Sequence, residues 1–237
     1  MSSIPGRIVA LVMALFALTA VSACSGGDDE PSKPAANQPD GAPTLKQAST
    51  AMAGLSSVAF TLATEGKPPI MVKSGDLKLL KSGDAEGTLQ ITQSGQAVEM
   101  KIVALGDSIY IKGVTGGWRQ VPKTMAAALY DPSAVLDPNR GISKLLTTMA
   151  NPKVEGAEKV NGKDADRVRA TLPKDSLGGL IPGITSDIDG QVWITKADHR
   201  LVKVKANIPP VAGGGDKGSV IINFTEFNAP YKFAAPK

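Results

Sequence analysis

The feature that most limits the fold of this chain is an apolar alternation with a period of two, repeated along most of its length. From Ser56 onward, short runs of alternating apolar and small or polar residues are separated by turn-forming pairs such as Ser94-Gly95 and Asn161-Gly162. This pattern predicts half-buried strands joined by tight hairpins. About ten strands are expected, in antiparallel meander order. The candidate segments are the eleven ranges 58–62, 75–81, 87–93, 98–102, 108–112, 118–121, 154–160, 164–171, 190–195, 201–208 and 219–227.

Two stretches interrupt this alternation with helical spacing. Residues 44–53 form an apolar stripe, with Thr44 as the expected N-cap and Gly54 as the end of the helix. Residues 123–149 contain Asp131-Pro132 and Asp137-Pro138, pairs that are typical of a helix start. The apolar stripe of this second stretch consists of Ile142, Leu145, Leu146 and Met149.

The number of strands has a consequence for the shape of the sheet. Strand twist accumulates, so a sheet this large curls. We therefore expect an α+β fold, in which a large curled antiparallel sheet forms a half-open β-barrel. The helices are expected on its concave side, where they would help to enclose an apolar cavity.

The first residues are typical of an export signal. Arg7 precedes an unbroken apolar run over residues 8–18, and small residues lead to Cys24. The segment 21–24 (VSAC) resembles a bacterial lipobox, in which the cysteine thiol is acylated and becomes the mature N-terminus. Cleavage by an ordinary signal peptidase near Cys24 is the alternative. We expect a signal peptide at 1–23, an acylated Cys24 with a flexible Ser-, Gly-, Asp- and Pro-rich tether at 24–43, and a single domain at 44–237.

Composition excludes several classes of partner and chemistry. The chain has 26 basic and 22 acidic residues, a balance too mild and too dispersed to favour nucleic acid. Because Cys24 is the only cysteine, the domain must be held by an apolar core and not by disulfides.

A catalytic site is not expected either. His199 is the only histidine and lies in a predicted turn between Asp198 and Arg200, where a solvated role is favoured over general-base catalysis. No Gly-x-Ser-x-Gly elbow is present. Residues 187–190 (DIDG) resemble the start of a calcium loop but lack the later Glu, so they are interpreted as a turn. We expect no enzyme activity, no metal and no cofactor.

Several short segments, in their order, resemble one protein family. They are 107–110 (DSIY), Trp118, 129–142 (LYDPSAVLDPNRGI), 160–163 (VNGK), 192–194 (VWI) and 198–201 (DHRL). Together they resemble the LppX/LprA/LprF/LprG lipoproteins of mycobacteria and their relatives, most closely the LprG type. The resemblance spans the mature domain, and a lipobox stands where the family has one.

The resemblance implies a half-barrel similar to periplasmic lipoprotein carriers, with a large lipid cavity. It implies binding of acylated lipids or glycolipids and their transfer from the plasma membrane toward the outer, mycolic-acid layer, beside a major-facilitator transporter. It also implies a monomer that is exported and anchored through Cys24 to the outer face of the plasma membrane. The alternative is an envelope scaffold lipoprotein whose ligand is a protein.

Two sets of residues are predicted to form the lipid site. For the first set, the periodicity alone favours a closed core, and the resemblance favours a cavity instead. For the second, an entrance lid in the Gly- and Pro-rich loop 172–184, an ordinary surface loop is the alternative. The predicted cavity residues are Phe60, Leu62, Leu89, Ile91, Val98, Met100, Ile102, Ile142, Leu145, Leu146 and Met149, and the predicted lid residues are Leu177, Leu180 and Ile181.

Overall fold

A computed structural model describes residues 38–127, 132–177, 186–210 and 217–237, and these belong to one compact unit of residues 37–237. The helices are α1 (Ala42–Ala53), α2 (Lys123–Ala127), α3 (Ile142–Thr148) and α4 (Lys174–Leu177), with a 3-10 turn at Pro132–Ala134. The strands are β1 (Ser57–Gly66), β2 (Val72–Leu80), β3 (Ala85–Gln93), β4 (Gln96–Leu105), β5 (Ser108–Lys112), β6 (Arg119–Pro122), β7 (Ala150–Val160), β8 (Lys163–Leu172), β9 (Ile188–Thr195), β10 (Leu201–Ile208) and β11 (Gly218–Phe227).

All these strands form one antiparallel sheet, with β6 and β7 at its two edges. The strand order is β6-β5-β4-β3-β2-β1-β11-β10-β9-β8-β7. The sheet is curled and unclosed, which confirms the predicted fold class. The predicted single meander is wrong in one respect: two meanders meet in the middle, where the first strand pairs with the last. The segment with α2 and α3 connects the two edge strands.

The sheet has two ends, named here by the connections found there. At the core end, β2 joins β3 through residues 81–84 and β4 joins β5 through residues 106–107. At the opposite end, which we call the rim, the connections of the β1–β6 half of the sheet are residues 67–71, 94–95 and 113–118. Two tight turns match their sequence signals, because Ser94-Gly95 and Asn161-Gly162 take the positive φ values of 52°, 80°, 49° and 78° that a type I′ hairpin requires.

Helix α1 packs on the inner face of the sheet, which we define as the face that carries α1, α3 and the main core. Leu45, Ala48 and Met52 are its buried residues, as the stripe predicts. The helix begins at Ala42 and not at Thr44, so the predicted Thr44 cap is wrong. The carboxylate of Asp40 accepts the backbone N–H of Ala42 at 3.0 Å instead.

The start of α1 is fixed to strand β7. Gly41 donates its backbone N–H to the carbonyl of Pro152 at 3.0 Å, and Pro39 accepts the N–H of Val154 at 2.9 Å. A Cβ at Gly41 would lie 2.6 Å from a methyl of Val168, so glycine is required for this close approach. Residues that precede the predicted helix are therefore already hydrogen-bonded to the sheet.

Helix α3 begins at Ile142 and not at the predicted Asp137-Pro138 start. Asp137 accepts the N–H of Asn139 at 2.8 Å in a turn, and Arg140 donates to its other carboxylate oxygen at 3.0 Å. The hydrogen bond from Asn139, and after it the Arg140 side chain, lowers the pKa of Asp137. The backbone then passes close to two carbonyl oxygens at Gly141, where a Cβ would lie 2.4 Å from those of Ala134 and Val135.

The core consists of a main cluster on the inner face and a small cluster on the outer face. The main cluster joins α1, α3 and residues 135–136 to the sheet. The outer cluster consists of Val160, Ala165, Trp193 and Val202, with Phe227 packed against it. Two clusters on opposite faces explain why β9 is buried at four consecutive positions, Val192 to Thr195, instead of alternating.

Candidate functional site

The strand register places all seven predicted cavity residues of the sheet on the inner face. Leu89 lies opposite Met100, Ile91 opposite Val98, and Ile102 opposite Gly87 in the β3–β4 pair. The β1–β2 and β2–β3 pairs link these residues to Phe60 and Leu62. Because directly paired residues share a face, the seven side chains form one continuous apolar surface.

Burial along this surface falls from the core end toward the rim. On β4, Ala104 is 0 % exposed, whereas Ile102, Met100 and Val98 are only half-buried. On β1, Val58 is 0 % exposed and Leu62 is half-buried. The core end is therefore covered by protein, and the rim half of the same surface is left partly open.

Helix α3 brings its four predicted residues to the main cluster. Leu146 and Met149 are buried in it, and Ile142 and Leu145 are half-buried against it. Leu62 and Ile102 also pack against the cluster. Of the described residues, the four predicted ones that belong to neither cluster are Leu89, Ile91, Val98 and Met100. These four face the part of the inner surface that α3 does not fill, and their role as cavity lining stays a prediction.

Two glycines on the inner face leave room for neighbouring side chains. Gly75 lies opposite Leu89, and a Cβ there would come within 2.5 Å of a Leu89 methyl. At Gly87 a Cβ would meet the carbonyl oxygen of Asp76 at 2.5 Å. The Leu89 side chain therefore occupies the space above Gly75, and the Leu77 side chain, 2.9 Å from a Cβ at Gly87, covers that glycine.

The inner face of β1 to β5 carries no charge. At the positions that the register assigns to it, the polar side chains are Thr64, Gln93 and Gln96. The others are Val58, Phe60, Leu62, Gly75, Leu77, Leu79, Ala85, Gly87, Leu89, Ile91, Val98, Met100, Ile102, Ala104, Ile109 and Ile111. Such a surface can bind hydrocarbon, and it offers nothing for acid–base or ionic chemistry.

Sequence reasoning missed several residues of this surface. Leu77, Ile111, Val204 and Ile222 are half-buried, pack against the main cluster and lie on the same face. Their alternation within predicted strands was sufficient to find them. Ile70 also packs there, but it lies in a connection after two prolines, where no periodicity marks it.

Part of the predicted lid is packed in place. Leu177 ends the short helix α4, is 3 % exposed and belongs to the main cluster. Leu180 and Ile181 lie outside the described residues, as do Cys24 and residues 129–131 of the family motif. The lid and the lipid anchor therefore stay predictions.

Two surface concavities have other linings than the predicted cavity. One, of about 920 Å³, lies between the β7–β8 and β9–β10 turns and is lined by residues such as Glu158, Lys163 and Asp198. The other, of about 650 Å³, lies near the rim beside Asp189 and Lys217. Neither contains a predicted lining residue, and both have charged walls. They are solvent-facing grooves between turns and strand ends.

The titratable groups with shifted pKa values lie away from the inner face. On the outer face, the Trp193 indole N–H donates to Glu158, and together with Arg167, 3.4 Å away, it lowers the pKa of that carboxyl. Lys159 lowers the pKa of Asp164 through a hydrogen bond of 2.8 Å. These pairs join neighbouring strands and turns, so they explain local structure and not a reaction.

The candidate catalytic and metal residues have structural roles. His199 sits in the β9–β10 turn at a φ of 53° and donates its backbone N–H to the Thr195 carbonyl at 3.1 Å. Asp187 accepts the N–H of Lys174, and Asp189 accepts the hydroxyl of Thr171, both at 2.9 Å. Within the described ranges, no group of three or more potential metal ligands occurs. None of the helices described there is long and apolar enough to cross a membrane.

Comparison with known proteins identifies relatives among the lipoarabinomannan carrier proteins. The chain is 29% identical over 212 residues to the lipoarabinomannan carrier protein LprG of Mycolicibacterium smegmatis, covering 85% of this chain and 88% of that protein. It is 30% identical over 205 residues to the LprG of Mycolicibacterium hassiacum, covering 84% and 87%. These matches confirm the predicted resemblance to LprG-type proteins.

Two solved structures share the fold. LprF from Mycobacterium bovis superposes with a TM-score of 0.72 at 19% identity, covering 84% of this chain and 99% of that one. Mycobacterium tuberculosis lipoprotein LppX gives 0.60 at 22% identity, covering 81% and 96%. The model of the LppX_LprAFG lipoprotein family matches residues 40–229, which include every described strand. The chain belongs to the LppX_LprAFG lipoprotein family.

Proposed function

We propose that this protein is a non-enzymatic lipid carrier of the cell envelope, which holds the acyl chains of a lipid or glycolipid against the inner face. The observation that carries this proposal is the uncharged, half-buried surface around Leu89, Ile91, Val98 and Met100. Family membership supports it, since relatives are named lipoarabinomannan carrier proteins.

Apolar burial alone is sufficient for tight binding at such a surface. Each buried methylene contributes about 0.8 kcal/mol, so an acyl chain of a dozen or more methylenes needs no ionic contact. A head group, by contrast, would find no charged partner on the inner face, where the polar side chains of β1 to β5 are Thr64, Gln93 and Gln96, all near the rim. We therefore place the head group outside the cavity, at the rim.

The proposal includes export and a lipid anchor at Cys24 on the outer face of the plasma membrane. Pro39 and Gly41 are hydrogen-bonded to β7, so the free part of the tether ends near Gln38. Residues 24–38 span roughly 50 Å at most, at 3.3–3.6 Å per residue. Delivery toward a mycolic-acid layer beyond that reach would require a partner, for which a major-facilitator transporter is our candidate.

The direct test is native mass spectrometry of residues 37–237, the compact unit with its own core, after expression in a lipid-rich actinobacterial host. We expect acylated lipid to co-purify at about one molecule per protein. A domain that emerges empty, and stays empty when incubated with detergent-dispersed glycolipid, would contradict the carrier proposal. That result would favour the scaffold with a protein ligand.

Site-directed variants locate the binding surface. Leu89→Trp or Met100→Trp should fill the space and lower lipid occupancy while circular dichroism shows an intact fold. Lys101→Trp is the matched control, because Lys101 is the next residue on β4, points to the outer face and is exposed. Loss of folding in the inner-face variants would instead indicate tight packing there. Equal loss of lipid in the control would place the lipid elsewhere.

A further inference from the structure

Exposed apolar side chains mark the rim. Among the described residues, the large hydrophobic side chains that are exposed are Met71 (65%), Val114 (70%) and Met125 (67%). Met71 lies in the β1–β2 connection and Val114 in the β5–β6 connection, both at the rim, whereas Met125 lies on α2 beyond the core end of β6. Strands β2 and β5 are three positions apart in the sheet, roughly 14 Å at about 4.8 Å per strand.

The connection that carries Met71 is hydrogen-bonded to the sheet. The carbonyl of Met71 accepts the N–H of Thr92 at 2.7 Å, which ties the β1–β2 connection to β3. Ile70 beside it packs against the main cluster. The Met71 side chain therefore projects from a supported turn, and its exposure is not the result of a loose end.

Basic side chains outnumber acidic ones around the two exposed apolar side chains of the rim. The rim connections 67–71, 94–95 and 113–118 contain Lys67 and no acid, and the adjoining strand ends add Lys73, Lys112 and Arg119. The nearest acids are engaged: Glu65 pairs with Lys205 at 2.6 Å, and Glu99 with Gln90 at 3.3 Å. At the core end, by contrast, the corresponding connections 81–84 and 106–107 contain two acids, Asp84 and Asp107, and one base, Lys81.

We propose that the rim is a docking surface for an anionic phospholipid bilayer. Met71 and Val114 would enter the acyl boundary, while Lys112 and Arg119 would meet anionic head groups. This inference rests on the proposed function and deepens it. Docking at the rim brings the half-buried inner surface to face the bilayer, so an acyl chain can pass between them without crossing water.

Vesicle flotation of residues 37–237 tests this surface, with phosphatidylcholine vesicles that contain or lack phosphatidylglycerol. We expect stronger binding to the anionic vesicles. Met71→Ser combined with Val114→Ser should lower the partition coefficient about tenfold or more, and Met125→Ser, equally exposed but away from the rim, should not change it. Absence of binding by the unmodified domain, or an equal loss in Met125→Ser, would overturn the proposal.

A second pair of variants tests the charges. Lys112→Glu combined with Arg119→Glu should lower binding to anionic vesicles about 25-fold or more, since each basic residue near a membrane contributes about fivefold. Lys81→Glu combined with Lys196→Glu, exposed residues at the core end, makes the same change in net charge. If both pairs weaken binding equally, net charge and not the rim attracts the membrane, and the proposal is wrong.

An independent readout separates this inference from the carrier proposal. Trp118 lies in the rim, and Trp193 is 4 % exposed on the outer face, so nitroxide-labelled lipid should quench only Trp118. Lipid occupancy after loading from detergent is measured separately by mass spectrometry. Rim variants that load normally but do not dock support the docking surface. A domain that docks but never loads supports docking and contradicts the carrier function alone.

Discussion

Two leucines on adjacent strands can decide whether the rim half of the inner face is an open surface or a closed core. Leu79 on β2 is 2 % exposed and belongs to the main cluster. Leu89 on β3 faces the same side, is half-buried and lies over Gly75. The same change, Leu→Ala, removes the same atoms at both positions, so the difference between the two reports on the surroundings.

The expected magnitudes differ by about 2 kcal/mol. Replacement of a fully buried Leu removes three carbons, about 2.4 kcal/mol of transfer free energy, and leaves a cavity that brings the total to about 3–4 kcal/mol. At Leu89 about half of the transfer free energy applies and no new enclosed cavity forms, so we expect about 1 kcal/mol. Leu79→Ala should therefore destabilise the domain about three times as much as Leu89→Ala.

Urea unfolding of lipid-free protein, followed by circular dichroism, measures the difference. With a slope of about 2.5 kcal/mol per molar urea, the midpoint should fall by about 1.4 M for Leu79→Ala and by about 0.4 M for Leu89→Ala. Equal losses near 3 kcal/mol would refute the reasoning. They would show that Leu89 is packed as tightly as Leu79, and the surface that supports the carrier proposal would not exist.

Three further expectations follow from particular contacts. Gly87→Ala should destabilise the domain by about 1 kcal/mol or more beyond Gly75→Ala, measured by urea unfolding, because its Cβ meets the backbone oxygen of Asp76 while that of Gly75 meets a movable Leu89 methyl. Burial and the hydrogen bond to Glu226 raise the pKa of Tyr231 to about 12. Its contribution to stability is therefore present below pH 10 and lost as the pH rises through about 12. Absorbance titration should show that Tyr231 ionises near pH 12. Glu226→Gln should shift the pKa of Tyr231 back toward its ordinary value. Trp193→Phe removes the indole donor and should raise the pKa of Glu158 toward 4.5, as measured by NMR. In the unmodified protein, the stability gained from the lowered pKa of Glu158 is lost as the pH falls through that pKa. An unchanged pKa in Trp193→Phe would show that the indole is not the main cause of the shift.

Strand positions were predictable because each strand has one covered and one solvated face over much of its length. The order in which the strands pair was harder to predict. That β1 lies beside β11 depends on contacts between residues more than a hundred and fifty positions apart, such as Phe60 opposite Phe224. No local sequence pattern predicts such a contact. Joining consecutive strands by hairpins alone predicts one meander instead of two.

The helix starts were predicted poorly for a physical reason. Asp137-Pro138 has the composition of a helix N-terminus, yet the carboxylate satisfies the N–H of Asn139 in a turn. The competing position, Gly141, is selected by close contact with backbone carbonyls, which the sequence does not display. The residues of the inner face were easier to predict, since alternation alone assigns each side chain to one face of the sheet. Alternation cannot show which part of that face is covered.

The sizes of the inner side chains argue that the uncovered part is a built surface. At the core end, β3 and β4 present Ala85 and Ala104. These small residues belong to the same cluster as Val135 and Leu136, which lie in the segment that connects the two edge strands. Toward the rim, the same strands present Leu89 and Met100. Small residues let a second layer of protein approach, whereas large aliphatic side chains left half-buried retain a free-energy cost of exposure. Hydrocarbon over these side chains would offset that cost. Under the carrier proposal, the change from alanine to leucine and methionine along two strands therefore marks where the protein layer ends and a lipid would take its place.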